Sequence, residues 1–308
     1  MLVKREYVVL FLILANMFWA GNYIIGQYVV AEMSPLQMTF SRWLIALLFL
    51  YPIATWIERP SWKKVWRQWK VLLVMSLLGV MGYNLLLYKA LQFTTPLNAA
   101  LVNAINPAVI VLFAAVFLKE KISSINGLGL IISLLGVILV LTNGQLQQIF
   151  SVHYNFGDLL MLLAILVWTI YSILGRKIRD IPPISATAVS VSLGLLTLFP
   201  FVLFSDLNFH LSKEATLGIL YIGIFPSVGS FIFWNISIRQ IGASRAGIYL
   251  NLITVFTAIF SLLLGKPISS VQILGGVLVF VGVYLSNKVV KQAQETLDDG
   301  TRCISKNI

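Results

Sequence analysis

The chain has 308 residues, of which 59% are hydrophobic and 11% charged, with a mean hydropathy of +0.91. A soluble domain carries about 45–50% apolar and about 25% charged residues, so this composition excludes a water-soluble globule. The net charge of +11 does not signal nucleic acid, because the basic residues lie in short loops between apolar runs, and the lone Cys303 in the polar tail excludes a disulfide framework and a CxxC-type metal site.

A bilayer core about 30 Å thick needs about 20 apolar residues per helix. The N-terminal run has a basic start but no small-residue cleavage site, so it is read as a retained membrane helix rather than a signal peptide. Five spans are predicted in the first half, at 7–30, 35–57, 71–92, 96–118 and 124–141. Five more follow at 156–175, 184–204, 215–240, 243–264 and 271–288. The expected fold class is an all-α integral membrane protein of ten helices. Between the second and third spans, the basic, Trp-bearing segment 58–70 reads either as an amphipathic surface helix or as an anchored loop.

Alternation of ten helices puts both termini on one side, together with the loops carrying Arg59 to Lys70, Lys119, Lys121, Arg176 to Arg179 and Lys266. Lys89, Lys213, Arg239 and Arg245 are assigned to the other side, with Arg42 inside a helix. The bias places the basic side in the cytoplasm. Lys89 and Arg239, late in matching helices, read as anchors near the outer surface.

The fourth span is unusually polar, with Asn98, Asn103, Asn106 and Pro107 in its first half. Pro107 lacks an N–H, so the Asn103 carbonyl should lose its helical partner and the helix should bend or open. A similar segment returns at 243–270, and other matches keep the same order. Trp19 lies over Trp168, Gly26 over Gly175, the run 77–82 over 221–229, Gly129 over Gly275 and Gly136 over Gly282. The chain is therefore expected to divide into a first five-helix repeat (1–142), an external linker (143–156), a second repeat (157–288) and a cytoplasmic tail (289–308). Five helices per repeat invert the second copy in the membrane, and inverted repeats place a substrate site at the midplane where they meet.

The stretches FWAGNYIIG (18–26), FSRWLIALLFL (40–50), 77–107, 118–140 and GDLLMLLAILVWTIYSILGRK (157–177) resemble the EamA-type branch of the drug/metabolite transporter superfamily, over nearly the whole chain. The resemblance implies a ten-helix carrier of the bacterial inner membrane, exporting metabolites or foreign compounds. Two positions depart from it. Thr254 stands where a proline would match Pro107, which should leave the ninth helix straighter, and Lys266 stands where an acid would match Glu120.

Candidate substrate-binding residues are Trp19, Asn22, Tyr23, Arg42, Asn84, Tyr88, Asn103, Trp168, Tyr171 and Asn251, with Pro107 as a gating kink. Asn84 and Tyr88 are one helical turn apart, and the Trp–Tyr pairs 19/23 and 168/171 each share a helix face. An aromatic, amide-lined wall suits an amphipathic organic solute, while an arginine in a span is costly unless it is paired or faces a cavity. The carboxylates fall at helix ends, so Glu120 and Asp158 are weak coupling candidates. No Walker sequence, Cys/His cluster, or interfacial nucleophile with an acid/base partner is present, so neither cofactor, metal nor enzymatic activity is expected. The expected function is secondary transport of small metabolites, amino acids or related compounds, outward across the inner membrane by alternating access. Proton-coupled efflux of toxic compounds is the alternative, ahead of a lipid-acting enzyme or a scaffold. Expected partners are the cargo and the bilayer, without nucleic acid, and a homodimer is compatible with the sequence.

Overall fold

The computed structural model describes residues 5–94, 99, 102–120, 122–147, 155–178, 180–265 and 268–285. The described chain is helical. In order it forms α1 (Arg5–Val29), α2 (Pro35–Ile57), α3 (Trp62–Arg67), α4 (Trp69–Leu91), α5 (Asn106–Leu118) and α6 (Ser124–Thr142). There follow α7 (Phe156–Lys177), α8 (Pro183–Leu203), α9 (Lys213–Ile241), α10 (Ala243–Leu263) and α11 (Ser270–Leu285). Eight of these are long and apolar enough to cross a membrane, while α5 and α11 are shorter apolar helices. The segment 58–70 does contain a helix, the six-residue α3, with Val65 buried and Trp62 against Tyr51.

Local chemistry sets the helix boundaries. Ser34, Ser123 and Ser212 accept the N–H of the residue three positions on, and Asn155 and Asp158 form a reciprocal capping box at the start of α7. Pro107 acts as expected of a breaker: residues 104–105 form a turn and α5 begins at Asn106, with the proline in its first turn. Asn98 lies outside the described residues. With Thr254 in place of a proline, α10 runs unbroken and only tightens to a 3-10 turn at Tyr249–Asn251.

The burial pattern suits a bilayer. Leu48, Leu112, Val116, Leu196 and Phe201 face outward, whereas Asn16, Arg42, Asn84, Asn106, Asn126 and Ser133 are buried inside. Amides and a guanidinium in the interior under an apolar exterior reverse the arrangement of a water-soluble fold.

Two contacts tie early and late helices. Against α11, Gly129 of α6 faces Gly282 and Gly136 faces Gly275, so the two helices run antiparallel at backbone contact. Carboxylates at the ends of early helices also hold the starts of later ones. Glu58 accepts the Ile184 N–H (2.8 Å), the Ser185 N–H (2.7 Å) and the Ser185 hydroxyl (2.5 Å). Glu120 accepts the Ala243 and Ser244 N–H groups (3.1 and 3.0 Å) and the Ser244 hydroxyl (2.6 Å). Anionic oxygens at helix N-termini satisfy orphan donors and the positive end of the dipole together.

One sequence expectation is corrected. Lys89 and Arg239 were both expected near the outer surface, yet they lie at opposite ends. Lys89 donates to Gln92 (3.0 Å) beside Phe93, which packs on Phe156 at the start of α7. Arg239 donates to the Ile181 carbonyl, and its own carbonyl accepts from Arg176 at the end of α7. The reason is geometric: α4 ends beside the beginning of α7, whereas α9 ends beside its finish. Arg245, next to the Ser244 held by Glu120, belongs to the Arg239 end as well, because Glu120 also meets Arg176 at 3.7 Å.

Candidate functional site

The interior is organised by two wide turns. In α4, residues Ser76–Gly82 form a π-helical segment, and in α9 Phe225–Ser230 form another. A π segment loosens the regular backbone ladder and frees carbonyls for side chains. The Gly79 and Val80 carbonyls accept the Asn84 amide (3.0 and 2.9 Å), Val80 also accepts the Trp43 indole N–H (2.8 Å), and the Ile222 carbonyl accepts the Ser227 hydroxyl (2.7 Å).

Arg42 of α2 links the π segment of α9 to the helical turn that follows the π segment of α4. Its Nε donates to Ser227 Oγ (2.7 Å), and its Nη1 donates to Asn84 Oδ1 (2.5 Å) and to the Tyr88 hydroxyl. Tyr88 donates in turn to Asn22 Oδ1 of α1 (2.9 Å). The guanidinium is 1% exposed and its carbon lies 5.2 Å from the Trp43 ring centre. Every group bonded to it is neutral, and Nη2 makes no hydrogen bond among the described residues. Arginine keeps its charge in proteins, and a buried charge without an opposite partner costs several kcal/mol.

The sequence-derived set is thus partly united. Arg42, Asn84, Tyr88 and Asn22 form one network, with Tyr23 beside Tyr83 and Tyr88. Trp19, Trp168 and Tyr171 form an adjoining aromatic cluster with Trp234 and Phe231, in which Trp168 lies 5.1 Å from Tyr171 and 5.6 Å from Trp234. Asn103 and Asn251 make separate pairs: Asn106 donates to Asn103 (3.2 Å) and Asn251 donates to Ser133 (2.8 Å). The Oδ1 atoms of both Asn106 and Asn251 are buried without a partner. Glu120 is engaged as described above. Asp158 accepts the Thr94 hydroxyl (2.7 Å) and the Asn155 N–H (2.9 Å).

Residues missed in the sequence include Ser227, Trp234, Asn235 and Thr187. Asn235 donates to the Tyr171 hydroxyl (2.7 Å) and to Thr187 (3.2 Å), and its Oδ1 is unpartnered. The signal was available. Aligning the C-terminal ends of the runs 77–82 and 221–229, Gly82 with Gly229, and reading on sets Asn235 over Tyr88, and carrying the match of Trp19 with Trp168 sets Tyr171 over Asn22. The amide–phenol bond of the first half thus recurs in the second with its two side chains exchanged.

The sequence model of the EamA-like transporter family matches residues 6–142 and 155–288. The uncharacterized transporter YyaM of Bacillus subtilis is 28% identical over 94% of this chain and 96% of its own length. An uncharacterized transporter of Archaeoglobus fulgidus is 29% identical over 90% of this chain and 96% of its own. A solved crystal structure superposes with a TM-score of 0.76 at 20% identity, over 93% of this chain and 99% of that one, which establishes likeness of fold alone. With its apolar multi-span exterior and polar interior, the chain belongs to the EamA-like transporter family and is a multi-pass membrane transporter.

Proposed function

We propose that the protein moves small organic metabolites carrying a carboxylate, amino acids or related compounds, outward across the inner membrane by alternating access. The observation that carries this reading is the buried Arg42 guanidinium, held by Ser227, Asn84 and Tyr88 with no acidic side chain bonded to it. A cargo carboxylate would supply the missing countercharge, and the aromatic cluster around Trp168 would take an apolar body. Because Arg42 bonds Ser227 in the π segment of α9 and, in α4, Asn84, which is itself held by the π-segment carbonyls of Gly79 and Val80, a ligand that draws its donors away would loosen both helices together.

Two inverted five-helix repeats give the means of alternation. Several observations support them. The sequence match of Gly129 with Gly275 and of Gly136 with Gly282 means that exchanging the halves converts the 129–282 contact into the 275–136 contact. Equivalent helices that meet antiparallel are related by an axis perpendicular to their length, which for membrane helices lies in the membrane plane. The paired π segments and the two stretches matched by the family model agree with this duplication. In this reading α5 and α11 complete a count of ten spans. Counting ten spans moves Arg239 and Arg245 to the Arg176 end and Lys266, between the ninth and tenth, to the other side, a net gain in charge bias, so the Arg176 end and both termini are assigned to the cytoplasm.

The test is flux into proteoliposomes, using labelled amino acids and cationic dyes with and without a pH gradient. Saturable amino-acid flux that Arg42→Gln abolishes is the expected result. Gradient-dependent dye flux indifferent to Arg42→Gln would replace this reading with drug/proton exchange and return attention to Glu120 and Asp158.

A further inference from the structure

A second polar site lies away from Arg42. A cavity of about 920 Å³ opens at the Arg176 end, between the start of α1, the end of α2, the α7–α8 connection and the end of α9. Its apolar wall includes Phe11 and Phe233, whose rings stack with centres 4.5 Å apart, together with Ile232 and Ile236. Its polar groups are not equally available. The Glu58 carboxylate is taken up by Ile184 and Ser185, and Arg176 by Glu120 and the Arg239 carbonyl. Arg239 and Asp180 remain. Arg239 donates from Nη1 to Ile181, but its Nε is buried with no partner. Asp180 makes no hydrogen bond or ion pair among the described residues.

An unsatisfied buried guanidinium N–H, a free carboxylate one residue from its Ile181 anchor, and a stacked aromatic wall form a charge pattern of one cation, one anion and an apolar surface. That is the complement of an amphipathic zwitterion. We infer that this cavity is a second subsite, an entrance at which Arg239 takes the carboxylate of an apolar α-amino acid, Asp180 meets its ammonium, and Phe11 and Phe233 cover its side chain. The inference rests on the proposed cargo class and adds a site to it. The volume falls within the range of about 300–1,000 Å³ common for small-molecule pockets, and leaves room for the cargo with ordered water. The helix α9 is a wall common to both sites: Ile232, Phe233 and Ile236 line the cavity, while Ser227, Phe231 and Trp234 face Arg42 and the tryptophan cluster. Cargo held here would therefore rest against the helix whose π segment Arg42 secures.

Occupancy can be read without transport. In the full-length protein in nanodiscs, Cys303→Ser removes the sole thiol and Ile236→Cys places one in the cavity wall. The labelling rate by a methanethiosulfonate reagent is measured with leucine, with 4-methylpentanoate (which lacks the ammonium) and with isopentylamine (which lacks the carboxylate). Leucine and 4-methylpentanoate should each slow labelling, about tenfold at ten times the dissociation constant, and isopentylamine should not. Leucine, which also meets Asp180, should protect at lower concentration than 4-methylpentanoate; Arg239→Gln should erase the protection by both, and Asp180→Asn should erase the difference between them. The ligand series on Ile236→Cys alone decides the matter should Arg239→Gln fold poorly. No protection by either carboxylate overturns the inference. So does labelling suppressed by phosphatidylglycerol in the disc whatever solute is added, which would make the cavity a lipid groove. Leucine flux into proteoliposomes, measured separately, keeps the two readings apart. Protection without flux retires the transport proposal and keeps the subsite, and flux without protection does the reverse.

Discussion

Trp19 and Trp168 meet edge to face, with ring centres 5.2 Å apart and planes at 87°. In the proposed repeat they are equivalent positions of the two halves. Equivalent residues touch only where a symmetry axis passes between them, so the proposed two-fold axis runs through this pair. Trp168 also contacts Tyr83, Tyr171, Phe231 and Trp234. Replacing it therefore removes the centre of a cluster fed by α1, α4, α7 and α9. Trp168→Ala should destabilise the protein by about 3–5 kcal/mol, the range for emptying a large aromatic site. Thermal unfolding in detergent, followed by loss of the monodisperse chromatographic peak, reads the effect. An unchanged midpoint would mean that the cluster is not a structural keystone.

The α6–α11 crossing gives a prediction with an internal control. A β-carbon on Gly275 would lie 2.6 Å from the Gly136 carbonyl oxygen, and one on Gly136 would lie 2.5 Å from the Gly275 carbonyl oxygen. Backbone atoms cannot step aside as a flexible side chain would, so Gly275→Ala should cost about 1–3 kcal/mol. Gly127, on the same helix two residues before Gly129, has nothing within 4 Å of its added β-carbon. Gly127→Ala should be neutral or gain up to about 1 kcal/mol from helix propensity. Equal effects of the two substitutions in the same unfolding assay would contradict backbone contact at this crossing.

Arg42 should separate charge from packing. Arg42→Gln preserves much of the side-chain length but loses the cation, and Arg42→Lys keeps the cation while losing the fork that reaches Ser227, Asn84 and Tyr88 together. Losing one partner of a buried charge pair costs about 2–5 kcal/mol, or roughly 30-fold or more in kcat/KM for a carboxylate cargo. Lysine should recover part of that loss. Concentration-dependent flux measures both variants, and a glutamine variant with wild-type kcat/KM would remove Arg42 from the cargo site.

What the sequence made legible follows from the range of each interaction. Asn84 and Tyr88 were recoverable because helical spacing puts them on one face, and the tryptophans because the repeat aligns them. Ser227 was not, since it reaches Arg42 across 185 residues and a lone serine in an apolar run carries no signal. Glu58 reads as an ordinary helix-end carboxylate and Glu120 as a weak coupling candidate, yet both hold helix starts, 126 and 123 residues downstream. The side of Arg239 and Arg245 follows from the count itself: the connection between the eighth and ninth of ten spans returns to the side of the N-terminus, which is the Arg176 end where both arginines lie, so assigning them to the other side broke the alternation. Most span ends were legible to within a few residues, since capping and proline chemistry are local; the exception is the fourth, expected over 96–118, where a turn at 104–105 precedes α5 at Asn106.

Glu32 supplies a pH dependence whose sign can be worked out. It lies between α1 and α2, where Oε2 accepts the Ser212 N–H (2.8 Å) and Oε1 the Ser212 hydroxyl (2.6 Å). These bonds favour the carboxylate and hold its pKa below the usual value of 4.5. A group whose pKa is depressed on folding contributes stability above its unfolded value and loses it as pH falls through the folded one. Glu32→Gln should therefore be less stable than the wild type near neutral pH, and the gap should close as the pH drops below about 4.5. Ser212→Ala should lose part of the same contribution, since the backbone N–H survives. Unfolding midpoints collected from about pH 7 to about pH 3.5 test the assignment. A gap of constant size across that window would show that Glu32 acts through shape rather than through its charge, and would detach it from the α9 terminus.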